Sequence, residues 1–311
     1  MSQVATEQGT QDVAPAERKQ KAALSEGARA ERRLGWLLCA PAVVVMLAVT
    51  AYPIAYAIYL SLQRYDLRFP DQAKFIGLSN YGAVLSSGYW WGAFTVTMII
   101  TLVSVAIELV LGMAFALLMH RTVIGKGAVR TTILIPYGIV TVAAAFSWQF
   151  AWTPGTGYFV SATSAPLTSQ VPAISIIILS EVWKATPFMA LLLMAGLSLV
   201  PEDLLNAAKV DGAGSWQRFT QIMLPLMKPA ILVALLFRTL DAFRIFDNIY
   251  VLTNGTHGTG SVSILGYDNL FTALNLGIGS AISVLIFISV AIIAAIFIKG
   301  FGTAAPGTEV R

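Results

Sequence analysis

The chain has 311 residues, 57% of them hydrophobic and only 12% charged, with a formal net charge of +4 and a mean hydropathy of +0.73. An ordinary globular chain carries about 25% charged residues, and no single soluble core at this length hides so much apolar surface. The composition excludes a soluble globular protein and points to a chain solvated by lipid, while one cysteine, Cys39, excludes an intrachain disulfide framework.

Residues 1–33 are a different material, rich in Gln, Ala, Glu and Lys/Arg without apolar periodicity. They are expected to form a disordered cytoplasmic tail with a short helix near 28–33. Arg32-Arg33 ahead of an apolar run reads as the positive flank of a span. A twin-arginine export signal fits less well, because the run from Leu34 is too long for a signal core.

A spanning helix needs about 20 mostly apolar residues. Segments 34–62, 91–119, 129–151, 173–200, 229–252 and 277–298 qualify, and continuous runs rather than alternating patterns exclude a strand barrel. The expected fold is all-α with six transmembrane helices. Lys/Arg asymmetry orients it. Arg18, Lys19, Lys21, Arg29, Arg32 and Arg33 precede the first span. Arg121, Lys126 and Arg130 follow the second, and Lys209, Arg218 and Lys228 follow the fourth. The loops after spans three and five contain no Lys or Arg, so both termini are expected in the cytoplasm. The first outer loop dissents mildly, with Arg64, Arg68 and Lys74 partly offset by Asp66 and Asp71.

Polar stretches between spans are too short to bury an enzyme core. No phosphate loop is present: Ile124-Gly125-Lys126-Gly127 lacks the hydroxyl residue and the preceding glycine. If ATP drives this protein, another chain binds it. His120 and His257 have no ligand-like neighbours, so neither a metal site nor a catalytic residue is assigned.

Ionisable residues inside spans face a cavity or one another, because a charge at the bilayer centre costs about 2.5–3.5 kcal/mol. Span four carries Glu181 and Lys184. Span five carries Arg238, Asp241, Arg244 and Asp247, a three-residue spacing with alternating sign that allows i,i+3 ion pairs along one slowly winding stripe. On a straight helix entered near Pro229, a ~1.5 Å rise puts Arg238 about 14 Å deep and Asp247 about 27 Å deep. Trp183, Phe188, Phe237, Phe243, Phe246 and Tyr250 lie among these charges, with Asn248 beside them. Ring faces alternating with hydrogen-bonding forks suit a polyhydroxylated ligand. The same charges also serve a reading in which ion pairs only pin helices together. Glu108 in span two reads as a lone acid with a structural hydrogen bond.

Residues 201–225 interrupt the apolar pattern. Pro201 suits the first position of a helix, with Glu202 and Asp203 meeting its dipole. Asp211-Gly212 suits a left-handed stop. Ser215 is expected to cap a second short helix on which Trp216, Phe219, Ile222 and Met223 share an apolar face. Two amphipathic helices at a bend either lie on lipid or dock into a partner.

Ala207-Ala208-x-x-Asp211-Gly212-Ala213, with Phe219, Ile222 and Leu224-Pro225, resembles the coupling loop of bacterial ABC-importer permeases. Asn206 departs from it, since the family usually has glutamate there. Ala51-Tyr52-Pro53, Gly77-Leu78-Ser79-Asn80-Tyr81 and Ile135-Pro136 are similar to the carbohydrate-type permeases of that family. The stretches 133–140 and 237–250 resemble its trehalose-importing members most closely. The resemblance implies a type I importer permease domain over 34–300, a cytoplasmic tail over 301–311, and ATPase contacts at Asn206, Ala207, Ala208, Asp211, Gly212, Ala213, Trp216, Phe219, Leu224 and Pro225. It implies a substrate path along Glu181, Lys184, Arg238, Asp241, Phe243, Arg244, Asp247, Asn248 and Tyr250. Implied partners are a second homologous permease, a cytoplasmic ATPase dimer holding ATP and Mg, an extracytoplasmic sugar-binding lipoprotein and membrane lipid, with no nucleic acid. The expected location is the bacterial inner membrane, and the expected cargo is a sugar, with trehalose suggested by the closer match. An ion-coupled secondary transporter, a permease for another disaccharide or glycerol phosphate, and a membrane scaffold stand as alternatives.

Overall fold

The computed structural model describes residues 26–122 and 125–302, so residues 1–25 of the expected 1–33 tail and 303–311 of the expected 301–311 tail lie outside the described residues, while 26–33 and 301–302 are helical. The chain divides into two compact units, Met1–Ile54 and Ala55–Arg311. The first holds most of α1 (Glu26–Ser61), whose apolar side chains, Leu37, Leu38 and Val49 among them, are exposed. A helix apolar on every side is what lipid solvates.

In the second unit the end of α1 is followed by a small hairpin. Strands β1 (Gln63–Arg64) and β2 (Lys74–Phe75) pair antiparallel, a minor addition to the expected all-helical architecture. Helix α2 (Ser79–Leu85) follows, and the Asn80 amide donates to the carbonyls of Ser61 and Gln63, both at 2.8 Å. In the hairpin, Arg68 Nη2 lies 2.6 Å from Asp66 Oδ2, and the hydrogen bonds from Arg68 hold the Asp66 carboxyl down at a pKa of about 2.

Helices α3 (Gly88–Arg121) and α6 (Gln170–Leu197) form the longest packed pair. The buried face of α3 includes Thr97, Thr101, Ser104, Glu108, Gly112 and Ala116, spaced by threes and fours. Small and polar residues on one face let membrane helices approach closely. At Gly112 a Cβ would sit 2.7 Å from the Met189 Cγ, so a larger residue must push the Met189 side chain aside.

The third expected span, 129–151, is broken. Helix α4 (Lys126–Gly138) meets α5 (Thr141–Ala151) at 87°. Pro136 and Gly138 sit at the end of α4, where the missing amide hydrogen and glycine freedom release the helix. After α6 come α7 (Glu202–Val210) and α8 (Ser215–Arg218). A π turn over Phe219–Met223 joins α8 without interruption to α9 (Leu224–Phe243), so Ser215–Phe243 forms one apolar helical rod.

The fifth expected span, 229–252, also differs. Its helix stops at Phe243, and a separate α10 (Asp247–Thr253) begins after a break at residues 244–246. Tertiary contacts hold the break open: the Ser261 hydroxyl donates to the Ile245 carbonyl at 3.0 Å, and the Ile245 side chain packs with Ile100, Ile177 and Ile249. A freed carbonyl in an apolar setting needs such a donor. The placing of Asp247 on a straight helix about 27 Å deep therefore does not hold. Helices α11 (Val262–Tyr267) and α12 (Leu276–Gly302), linked by a second π turn over Asp268–Thr272, end the described residues. Five helices are long and apolar enough to cross a membrane, and the bent α4–α5 pair makes six among the described residues.

Candidate functional site: a charged cavity between two broken helices

The two breaks face a common cavity of about 690 Å³. One wall is the α4–α5 corner, residues 137–141. A second is the α6 face carrying Glu181, Lys184, Ala185 and Phe188. A third runs from Phe237 at the end of α9, across the break, to Asn248 in α10. Irregular backbone at membrane depth is tolerated where it lines such a space.

Arg238 organises the charges. Its guanidinium is 2% exposed, and it donates from Nε to Glu108 Oε2 at 2.6 Å and from Nη2 to Glu108 Oε1 at 2.8 Å. This is the bidentate fork that arginine offers a carboxylate. Nη1 donates to Asp241 Oδ2, and Nη2 lies 3.7 Å from Glu181 Oε2. One cation thus ties α3, α6 and α9. Breaking a buried pair of this kind by removing one partner costs about 3–5 kcal/mol. Glu108 is fully buried behind the wall, whereas the Asp241 side chain is 75% exposed and turned into the open space.

The remaining polar groups brace the breaks. Lys184 Nζ donates to the Ile139 carbonyl at 2.6 Å, placing a positive charge at the carboxyl end of α4, where the helix dipole favours it. Asn248 Nδ2 donates to Glu181 Oε1 at 2.5 Å, joining α10 to α6. Facing the cavity are three acids, Glu181, Asp241 and Asp247, and three bases, Lys184, Arg238 and Arg244. With Glu108 behind Arg238 the network holds four acids and three bases, so the site has no excess of positive charge. Tyr137 and Phe188 stack with ring centroids 5.3 Å apart, and Phe237 and Phe246 add further ring surface.

The second candidate region is the bend between α7 and α8. Gly212 has φ +85°, a left-handed conformation that suits glycine. The Gly212 N–H donates to Lys209 O at 3.2 Å, and the Ala213 N–H donates to Ala208 O at 2.9 Å. Together these bonds close the last carbonyls of α7 in a Schellman motif. Gln217 Oε1 then accepts from the Gly214 N–H at 2.8 Å at the start of α8. Val210 (88%) and Trp216 (72%) project from the bend as exposed apolar side chains.

Residues 93–302 match the family model of the binding-protein-dependent transport system inner membrane component. The chain belongs to this family. Over 283 residues, 90% of this chain and 92% of the relative, the permease is 66% identical to the trehalose transport system permease protein SugA of Mycobacterium tuberculosis. It is 40% identical over 278 residues, 86% of this chain and 94% of the relative, to the trehalose/maltose transport system permease protein MalF of Thermococcus litoralis. The crystal structure of a bacterial alginate ABC transporter superposes with a TM-score of 0.76 at 20% identity, covering 89% of this chain and 97% of that one, and shows a shared fold. The permease is thus an inner-membrane ABC-transporter component with the type I importer fold.

The permease gathers most of the residues singled out for a substrate path. Glu181, Lys184, Arg238, Asp241, Arg244, Asp247 and Asn248 all line the cavity. Phe243 does not: it is fully buried, edge-on to Phe94. Tyr250 lies off the wall, stacked on Phe246 at 5.3 Å. The expected pairing also changes. Of the span-five stripe, Arg238–Asp241 is the one ion pair formed among the described residues, because the break carries Arg244 and Asp247 off the helix. Glu181 and Lys184 turn to Arg238, Asn248 and Ile139 instead of each other. Glu108 makes the expected structural link to a neighbouring helix, but as the bidentate partner of Arg238 rather than as a lone acid. Its place on the α3 stripe of Thr97, Thr101, Ser104, Gly112 and Ala116 is the signal that marks it as facing the bundle interior.

At the bend, Asn206, Ala207, Asp211, Gly212, Trp216 and Pro225 are exposed, while Ala208, Ala213, Phe219 and Leu224 are half-buried. Pro201 occupies the cap position rather than the first helical one. Gly214, not Ser215, precedes α8. The expected second short helix is instead the first turn of the rod Ser215–Phe243 that carries Arg238 and Asp241.

Proposed function

We propose that the permease carries a neutral sugar through the charged cavity, with trehalose the first candidate. The observation that supports this most directly is the wall itself, where equal numbers of acids and bases alternate with aromatic rings. Such a surface offers donors, acceptors and flat apolar faces without an excess of positive charge to attract an anion. Relatives named for trehalose and for trehalose/maltose transport favour a disaccharide.

In this reading a binding protein delivers the sugar to the outer side and a second homologous permease closes the other half of the path. An ATPase dimer, holding ATP and Mg, docks on the bend at Asp211–Gly212 from the cytoplasm, where both termini also lie. The exposed Val210 and Trp216 offer that dimer an apolar contact. The rod Ser215–Phe243 links the bend to Arg238 and Asp241, so a push on α8 moves one wall of the cavity. Opening and closing around the bound sugar then alternates access. No bond in the sugar is made or broken.

The test is uptake of radiolabelled trehalose by cells whose own importer is deleted and which express the permease with its neighbouring transport genes. Uptake that unlabelled trehalose suppresses, that glycerol phosphate does not, and that an inactive ATPase abolishes supports the proposal. Uptake that survives ATPase inactivation, or that prefers the anion, contradicts it.

A further inference from the structure

Four aromatic residues beside the cavity are not explained by packing alone. Phe246, Tyr250, Tyr267 and Phe271 form a chain of ring contacts: Phe246–Tyr250 5.3 Å, Phe246–Tyr267 5.2 Å, Tyr250–Tyr267 5.4 Å and Tyr267–Phe271 4.9 Å between centroids. A buried aromatic core hides its rings, yet Phe271 is 65% exposed and Tyr250 41%. The rings of Phe246, Tyr267 and Phe271 border a hollow of about 350 Å³ between α11 and α12, lined also by Ser263, Ser283, Leu270 and Ile286, with the Ser283 hydroxyl donating to the Gly279 carbonyl at 3.0 Å. Phe246 also lines the charged cavity, so the two spaces share one ring. The π turn at Asp268–Thr272 follows Tyr267 directly and carries Phe271, and π turns recur at functional sites.

We infer that this cluster is a second sugar-binding subsite that holds one pyranose ring of the transported sugar beside the charged cavity. The inference rests on the sugar reading of that cavity. Flat rings with electron-rich faces suit the C–H patches of a pyranose, and hydroxyls at the margin suit its O–H groups. The hollow falls at the small end of the ~300–1,000 Å³ typical of ligand pockets, which suits one ring rather than an oligosaccharide. The occupant is taken as a sugar rather than an acyl chain because the hollow shares the Phe246 ring with the charged cavity. Phe246, common to both spaces, then passes the sugar from one to the other.

The experiment is photolabelling of the assembled importer in membrane vesicles with diazirine-bearing trehalose, mapped by mass spectrometry. Labels on peptides containing both Phe271 and Asp241, each suppressed by excess unlabelled trehalose, are the expected result. Phe271→Leu should cut the label at the cluster at least fivefold and leave that at the cavity within twofold, whereas Phe271→Tyr, which keeps a flat ring, should retain both. Labelling of the cavity peptide alone overturns the second subsite and leaves the sugar reading standing. Competed labelling at neither peptide overturns both. Labelling of the cluster by a photoactivatable phospholipid that trehalose does not displace assigns the hollow to lipid, and a crosslink from Phe271 to the second permease assigns it to the subunit interface. Either result overturns the inference.

Discussion

The α7–α8 bend and the charged cavity solve the same problem, how to stop a helix, in opposite ways. At the bend every bond is local: Gly212 turns left-handed, and the N–H groups of residues 212 and 213 close the carbonyls of residues 208 and 209. In the cavity the groups that hold the breaks come from far along the chain. Arg238 reaches Glu108 across 130 residues, Asn248 reaches Glu181 across 67, and Lys184 reaches the Ile139 carbonyl across 45. A local stop forms wherever its few residues are present and leaves the surface free for a partner. A non-local stop forms only when α3, α4, α6 and α9 are already packed, so it reports the state of the whole bundle.

The largest expected effect therefore lies at the non-local network. Arg238→Met strands Glu108 in a fully buried site and should destabilise the permease by about 3–5 kcal/mol. The readout is a lower midpoint in thermal unfolding of the detergent-solubilised complex. Adding Glu108→Gln should recover part of that loss, because the stranded charge disappears. A double variant no better than the single would show that Arg238 acts through another partner.

Next is the helix crossing that brings Glu108 to Arg238. Gly112→Val forces the Met189 side chain away and should cost about 1–3 kcal/mol by overpacking, seen in the same melt. At the bend the change is smaller. Gly212→Val places a branched side chain at φ +85°, for a local cost of about 1–2 kcal/mol. Its main effect should be on coupling, measured as ATP hydrolysed per sugar taken up, with insertion unchanged. The smallest effect is expected in the β1–β2 hairpin. The Asp66 carboxyl is held at about 2, so it stays ionised from neutral pH down to pH 5. Its contribution is present above the ordinary carboxylate range and is lost only as pH falls through 2. Asp66→Asn should thus leave the pH profile of uptake between 5 and 8 unaltered.

The same contrast explains what the sequence discloses. Pro201, the acids at 202–203 and Gly212 are local signals, and they locate α7 and its stop correctly. The α4–α5 break also has a local signal in Pro136 and Gly138, but membrane helices tolerate both residues, and the run reads as one span. The α9–α10 break has none. No glycine or proline occurs from residue 230 to 254, and the helix parts because Ser261 and a cluster of isoleucines hold the opened turn. The spacing of charges in 238–247 marks the cavity wall, yet it suggests a ladder of i,i+3 pairs that the break prevents. Phe243 shows the limit of such reading. On a charged helix it looks like part of the path, and only packing against Phe94 reveals it as core.

The most direct test is the exposed member of the network, because Asp241 faces the cavity while contributing little to the buried core. Initial rates of trehalose uptake should be compared between the unaltered permease and Asp241→Asn at matched membrane levels and matched thermal midpoints. The expected result is at least a tenfold loss of uptake with the fold intact. Unchanged uptake by a stably folded Asp241→Asn permease would contradict the assignment of this cavity as the sugar path.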